Sequence, residues 1–104
     1  MTIKTDYDWE MEVGQGWRQI IRAVVSTIQN SGGTIRQIKE KFGGLRIYFY
    51  HPDDATNFKL NSLVDSAEEI CSVICENCGR PGKLRNITGW MKTYCDACSC
   101  EEIK

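Results

Sequence analysis

One histidine in 104 residues limits the chemistry open to this chain. His51 stands in His51-Pro52-Asp53-Asp54, where proline biases the residue before it away from helix and the aspartates favour turns and helix caps. No cysteine or carboxylate pair lies at ligand spacing beside it, so a loop histidine without a chemical role is expected. With it go the base and the electrophile that catalysis would need, and an enzyme is not expected. Long apolar runs are also lacking, and nothing approaches the ~18 residues that cross a bilayer. The opening Met-Thr-Ile-Lys-Thr-Asp-Tyr-Asp lacks the basic and apolar regions of a secretory signal, which points to a cytoplasmic chain with no membrane partner. There is no internal repeat and no low-complexity tract. Net charge is scarce too: 13 Lys and Arg against 14 Asp and Glu leave −1. A general polyanion binder is thereby disfavoured, although local basic patches still suit phosphate.

What remains is ordinary in bulk, with 41% hydrophobic and 26% charged residues, as in globular domains. The length suits a single domain spanning 1–104. Within it we read an acidic, aromatic N-terminal arm over 1–14, a helix-hairpin-helix core over 15–74 and a zinc-binding unit over 75–104. The arm alternates Asp6, Asp8, Glu10 and Glu12 with Tyr7, Trp9, Met11 and Val13, the pattern of a short edge strand or an extended arm with Trp9 packed on the core.

The abundant residue is cysteine, six in all. Cys75-Glu-Asn-Cys78 and Cys95-Asp-Ala-Cys98 form two C-x-x-C pairs sixteen residues apart, the spacing of a structural zinc site. Two such turns supply a closed tetrahedral shell of four sulfurs, which leaves no open position for substrate or water. One structural Zn2+ on Cys75, Cys78, Cys95 and Cys98 is the expectation, and a reducing cytoplasm favours bound thiolates over disulfides. A C-x-x-C oxidoreductase is the rival; that motif opens a helix in a βαβ setting, whereas here the first pair closes one. Cys71 falls on an apolar helical stripe, where a free thiol packs as a small hydrophobe. Cys100 reads as a spare thiol. The alternatives are that Cys100 replaces Cys95 or Cys98, or that Cys71 and Cys100 form a redox pair or share a second metal.

Between arm and metal site the pattern is α+β: two helices packed on a small antiparallel hairpin sheet, followed by a zinc-ribbon or treble-clef-like hairpin. Trp17, Ile20, Ile21, Val24, Val25 and Ile28 repeat at helical spacing, and glycines end the run. Thr34–Lys41 and Leu45–Tyr50 read as two strands joined through Phe42-Gly43-Gly44, with the glycine pair taking the positive backbone angles of the turn. A second apolar stripe through Leu60, Leu63, Val64, Ala67, Ile70, Cys71 and Ile74 gives a helix that runs into the first cysteine pair. Lys83–Ile87 and Trp90–Tyr94 read as a short hairpin around Thr88-Gly89.

In the second strand Leu45, Ile47 and Phe49 alternate with Arg46, Tyr48 and Tyr50, so one face meets the core and the other meets solvent or a ligand. Arg36, Lys39, Lys41, Arg46, Tyr48 and Tyr50 then make a basic and aromatic surface, a mixture found at protein interfaces and on single-strand nucleic-acid platforms. Cross-strand Tyr and Arg pairs also stabilise sheets unaided.

The segments Gln37-Ile-Lys-Glu-Lys-Phe-Gly-Gly-Leu-Arg-Ile-Tyr-Phe49, Ile74-Cys-Glu-Asn-Cys-Gly-Arg-Pro-Gly82 and Gly89-Trp-Met-Lys-Thr-Tyr-Cys95 resemble a family of small bacterial and phage proteins of uncharacterised function. The resemblance runs from about Trp17 to Cys98. It implies a helix, a K-F-G-x-L-R hairpin, a second helix and a terminal zinc unit, with Cys75, Cys78, Cys95 and Cys98 as ligands and Cys71 and Cys100 as departures. The functional expectation is a zinc-stabilised protein-interaction module of phage or mobile-element origin, an inhibitor or modulator of a host enzyme or defence complex, with no small-molecule substrate. Nucleic-acid binding through Arg36, Lys39, Lys41 and Arg46, with Lys83, Arg85 and Lys92 on the zinc hairpin, ranks second.

Overall fold

The apolar stripe that begins at Trp17 forms helix α1 (Gln15–Asn30), and Trp17, Ile21, Val24, Val25 and Ile28 are all buried on it. The computed structural model describes residues 9–103. Across α1 lies an antiparallel hairpin, β1 (Thr34–Lys41) and β2 (Gly44–Tyr50), and α2 (Asp54–Cys71) follows. A second hairpin, β3 (Lys83–Ile87) and β4 (Trp90–Tyr94), leads into α3 (Asp96–Ile103). The fold is α+β, with two separate two-stranded sheets.

The main core lies between α1, α2 and the inner face of β1–β2, where Ile35, Ile38, Leu45 and Ile47 are buried. Period-two alternation places Leu45 and Ile47 there, and a bulge brings Ile35 and Ile38, three residues apart, onto that same face. Register runs from Thr34 opposite Tyr50 to Lys41 opposite Gly44, with a bulge at Arg36 between Ile35 and Gln37. Glu68 on α2 accepts a hydrogen bond from the Ile47 amide at 3.0 Å, which satisfies one donor on the open edge of β2. Asp53 caps α2, accepting from the Thr56 amide, as a short carboxylate does at a helix start.

Several expectations change. The turn between β1 and β2 places the positive angles on Phe42 (φ 54°) and Gly43 (φ 83°), and Gly44 is already strand. Ile70 is exposed and not on the core stripe of α2, which ends at Cys71. A strand for the arm does not form over its described part: Trp9–Met11 is a 3-10 turn, and Trp9 and Val13 are buried in the core. The rest of the proposed arm, with Asp6, Tyr7 and Asp8, lies outside the described residues. His51 has a structural role: its Nδ1 accepts from the Asp53 amide, and its Nε2 meets the Ser31 carbonyl at 2.8 Å. With Nδ1 accepting, the proton sits on Nε2, and the ring ties the end of α1 to the start of α2.

Candidate metal centre

Cys75 and Cys78 lie in a knuckle closed by two backbone bonds, Gly79 N–H to the Cys75 carbonyl (2.9 Å) and Cys75 N–H to the Arg80 carbonyl (2.7 Å). Gly79 has φ 86°, a left-handed angle that a side chain resists. Cys95 ends the β3–β4 hairpin and Cys98 lies in the first turn of α3. The two pairs are held together by the Glu76 N–H, which donates to the Thr93 carbonyl at 2.9 Å. The sulfurs of Cys75, Cys78, Cys95 and Cys98 all lie within 4.8 Å of one another. A tetrahedral zinc with Zn–S near 2.3 Å has S···S edges of about 3.8 Å, and Cys78 and Cys95 stand 3.6 Å apart.

The donors around the sulfurs fit a charged cluster. Cys98 N–H points to the Cys95 sulfur at 3.4 Å and Asn77 Nδ2 to the Cys98 sulfur at 3.3 Å; such second bonds orient thiolates and offset their charge. The Cys98 amide draws the Cys95 thiol down to about 7, whereas Cys98, despite its bond from Asn77, is pushed up to about 12 by burial and the neighbouring sulfurs, so the group resists ionising together without a cation. Four thiolates this close repel one another, and a divalent cation resolves the repulsion. These residues can therefore hold a metal ion. The order of knuckle, hairpin and helix is like that of a zinc ribbon or treble clef, with α3 the short helix that follows the hairpin.

Two cysteines stay apart from this group. Cys71 is buried in the main core, and burial pushes its thiol up to about 12. Cys100 is exposed on α3.

Sequence reasoning missed how the knuckle grips α1. Gly16 N–H donates to the Glu76 carbonyl at 2.7 Å, Gly14 N–H donates to Glu76 Oε2 at 2.9 Å, and Trp17 Nε1 donates to the Ile74 carbonyl at 2.8 Å. A Cβ on Gly16 would come within 2.1 Å of the Cys75 carbonyl oxygen, so only glycine permits this approach. Glu76 thus caps α1 from another part of the chain, where a negative group suits the helix dipole. It is 6% exposed, and burial pushes its carboxyl up against the pull of the Gly14 amide. The signal was present as Gly14-Gln15-Gly16 at the helix start, but sequence spacing alone does not say what comes so close.

On the second candidate surface alternation sets Lys39 and Lys41 with Arg46, Tyr48 and Tyr50, and the bulge adds Arg36. Opposite the core face of β1–β2, cross-strand pairs set Lys39 against Arg46, Gln37 against Tyr48 and Thr34 against Tyr50, with Lys41 opposite Gly44. Arg36, in the bulge, stacks over the Tyr50 ring at 5.3 Å, and Lys41 lies over the Phe42 ring at 5.8 Å. The basic residues of β3–β4 are differently placed. Arg85 pairs with Asp96, and Lys92 pairs with Glu40 at 3.5 Å.

Comparison with known proteins gives no match to a family model, to a characterised protein or to a solved structure.

Proposed function

We propose that this chain is a small zinc-stabilised interaction module without catalytic activity, and that it works by docking the outer face of β1–β2 onto a macromolecular partner. One observation carries the reading. Arg36, Lys39, Lys41 and Arg46 share that face with exposed Tyr48 and Tyr50, with exposed Phe42 in the adjoining turn, and none of the four cations pairs with a carboxylate among the described residues. With a formal charge of −1 for the whole chain, four positive charges here leave −5 on the remainder. Arg and Tyr on a rigid backing are the composition of interface hot spots. The backing is the buried row of Ile35, Ile38, Leu45 and Ile47.

The metal is proposed to be a single Zn2+, and its part is structural, since four protein sulfurs complete the shell. Elemental analysis of the reduced protein is expected to give one zinc per chain. For the surface, affinity capture with the intact chain and with Arg46→Ala/Tyr48→Ala is the test. Partners retained by the intact chain and by Lys83→Ala should be lost with the double variant; equal retention by all three would place recognition elsewhere. A protein of the host cell is the partner that composition puts first. Nucleic acid is the second reading, and the absence of a carboxylate paired with these cations among the described residues favours it.

A further inference from the structure

The outer face of β1–β2 has a feature that protein docking does not explain. Lys39 and Arg46 are direct cross-strand partners, and like charges directly opposite in a sheet oppose its pairing. No carboxylate of the described residues stands between them to relieve it; Glu40 turns to the other side, where it accepts from the Gly43 amide and meets Lys92. A second cost sits at the turn. Phe42 holds φ 54° and the residue is 73% exposed, so a bulky residue occupies a backbone conformation that asparagine or glycine takes more easily. The turn conformation recurs at Thr88 in the second hairpin and so marks no ligand by itself; the unrelieved charge pair and the exposed rings of Phe42, Tyr48 and Tyr50 suit an anionic ligand with flat, stackable groups.

The spacing narrows the ligand. Arg46, Tyr48 and Tyr50 follow one another on the same face of β2, two residues or about 6.8 Å apart at each step. That step matches successive nucleotides in an extended strand, which offers a phosphate and an aromatic base in each repeat. Arg36 stacked on Tyr50 and Lys41 over Phe42 hold cations at the rims of the aromatic row. An acidic peptide would satisfy the cations and leave the rings without stacking partners. A duplex keeps its bases paired inside and would do the same.

Resting on the reading that this face is the working surface, we infer that its ligand is single-stranded nucleic acid, with a base stacked on Tyr48, Tyr50 backing the Arg36 guanidinium, and phosphates held by Arg36, Lys39, Lys41 and Arg46. Recognition is by stacking and charge and tolerates sequence.

Fluorescence anisotropy of the metal-loaded full chain with labelled oligothymidine and oligouridine, a duplex of the same length and a polyglutamate peptide tests this. Single strands should bind in preference to both other probes. Affinity should fall steeply with salt, with Arg46→Ala flattening the log–log slope by about 0.7, as for one phosphate contact on a single strand. Tyr48→Ala should weaken binding about tenfold, the scale of one lost stacked base, whereas Tyr48→Phe should retain it. Duplex binding equal to single-strand binding overturns the inference, as does full affinity in Tyr48→Ala. Preference for polyglutamate that depends on Arg46 and Tyr48 overturns it while leaving the interaction face in place. No probe bound, together with unchanged capture by Arg46→Ala/Tyr48→Ala, overturns both.

Discussion

The molecule contains two hairpins of similar plan held by different forces. Each turns on a non-glycine residue and a glycine at positive φ, Phe42-Gly43 in one and Thr88-Gly89 in the other. In β1–β2 an unbroken inner row, Ile35, Ile38, Leu45 and Ile47, is buried between two helices. In β3–β4 only Ile87, Thr93 and Tyr94 are buried, while Leu84 is exposed and Trp90 is 70% exposed. The cluster around them consists of Cys75, Cys95 and Cys98 with Ile87 and Tyr94. Apolar area holds the first hairpin, and in the second the proposed metal–ligand bonds would stand in for the missing area.

The comparison is tested most severely by taking the metal away. Structural zinc sites contribute on the order of 10 kcal/mol of apparent binding energy that appears as folding energy. A zinc chelator under reducing conditions is therefore expected to abolish amide-exchange protection in β3–β4 while β1–β2 keeps most of its own. If the zinc hairpin stayed protected without metal, its small apolar cluster would be holding it and the contrast would fail.

The converse experiment removes apolar area from the body. Ile38 is fully buried in β1, and Ile38→Ala should cost about 2–5 kcal/mol in denaturant unfolding, the range for truncating a buried aliphatic residue. Metal affinity should hardly change. A large drop in zinc affinity would mean that the two hairpins fold as one unit.

How far they are joined is set by contacts that the sequence conceals. Helical period, strand alternation and C-x-x-C spacing are local signals, and they place α1, both hairpins and the four cysteines at nearly their observed positions. The junction is a long-range matter. Thr93 is buried and donates its hydroxyl to the Gly43 carbonyl at 2.6 Å, Glu40 reaches Lys92, and Glu76 caps α1. Single polar residues fifty or sixty positions apart leave no periodic trace. The 3-10 turn at Trp9 was hidden differently: Trp9, Met11 and Val13 alternate as a strand would, yet among the described residues the turn lies near β1 without pairing to it, and Trp9 is buried in the core. His51 misled because its role lies in hydrogen bonds to backbone groups of Ser31 and Asp53, which spacing among side chains does not report.

Gly16→Ala probes the junction. The added methyl has no space against the Cys75 carbonyl and the Gly79 amide, so the start of α1 must withdraw from the knuckle. Overpacking of this kind typically costs about 1–3 kcal/mol. Because the displaced groups belong to the metal knuckle, weaker zinc binding should accompany the lost stability, unlike in Ile38→Ala. A competition titration with a chromophoric chelator separates the two variants. Unchanged zinc affinity in Gly16→Ala would show that the knuckle keeps its shape without its helix.

The smallest expected effect separates the two halves by pH. Hydrogen bonds from Thr56, its hydroxyl first and its amide next, hold the Asp53 carboxyl below its ordinary value. A depressed folded-state value means that the folded chain binds the proton less readily than the unfolded chain. The cap therefore adds stability above the unfolded carboxylate value, and that stability is lost as pH falls through the lower, folded one. Thiolate ligands meet proton competition at higher pH, since binding metal requires them deprotonated. On acidification the zinc hairpin should let go first and the capped body later. Asp53→Asn keeps an N-cap acceptor but has no charge to titrate; it should leave zinc release unchanged and flatten only the last acid step of body unfolding. Circular dichroism of the helices, followed beside zinc release across the same acid titration, measures both. If the substitution shifted zinc release itself, the start of α2 and the metal site would be coupled, and the body could not be treated as a unit apart from its staple.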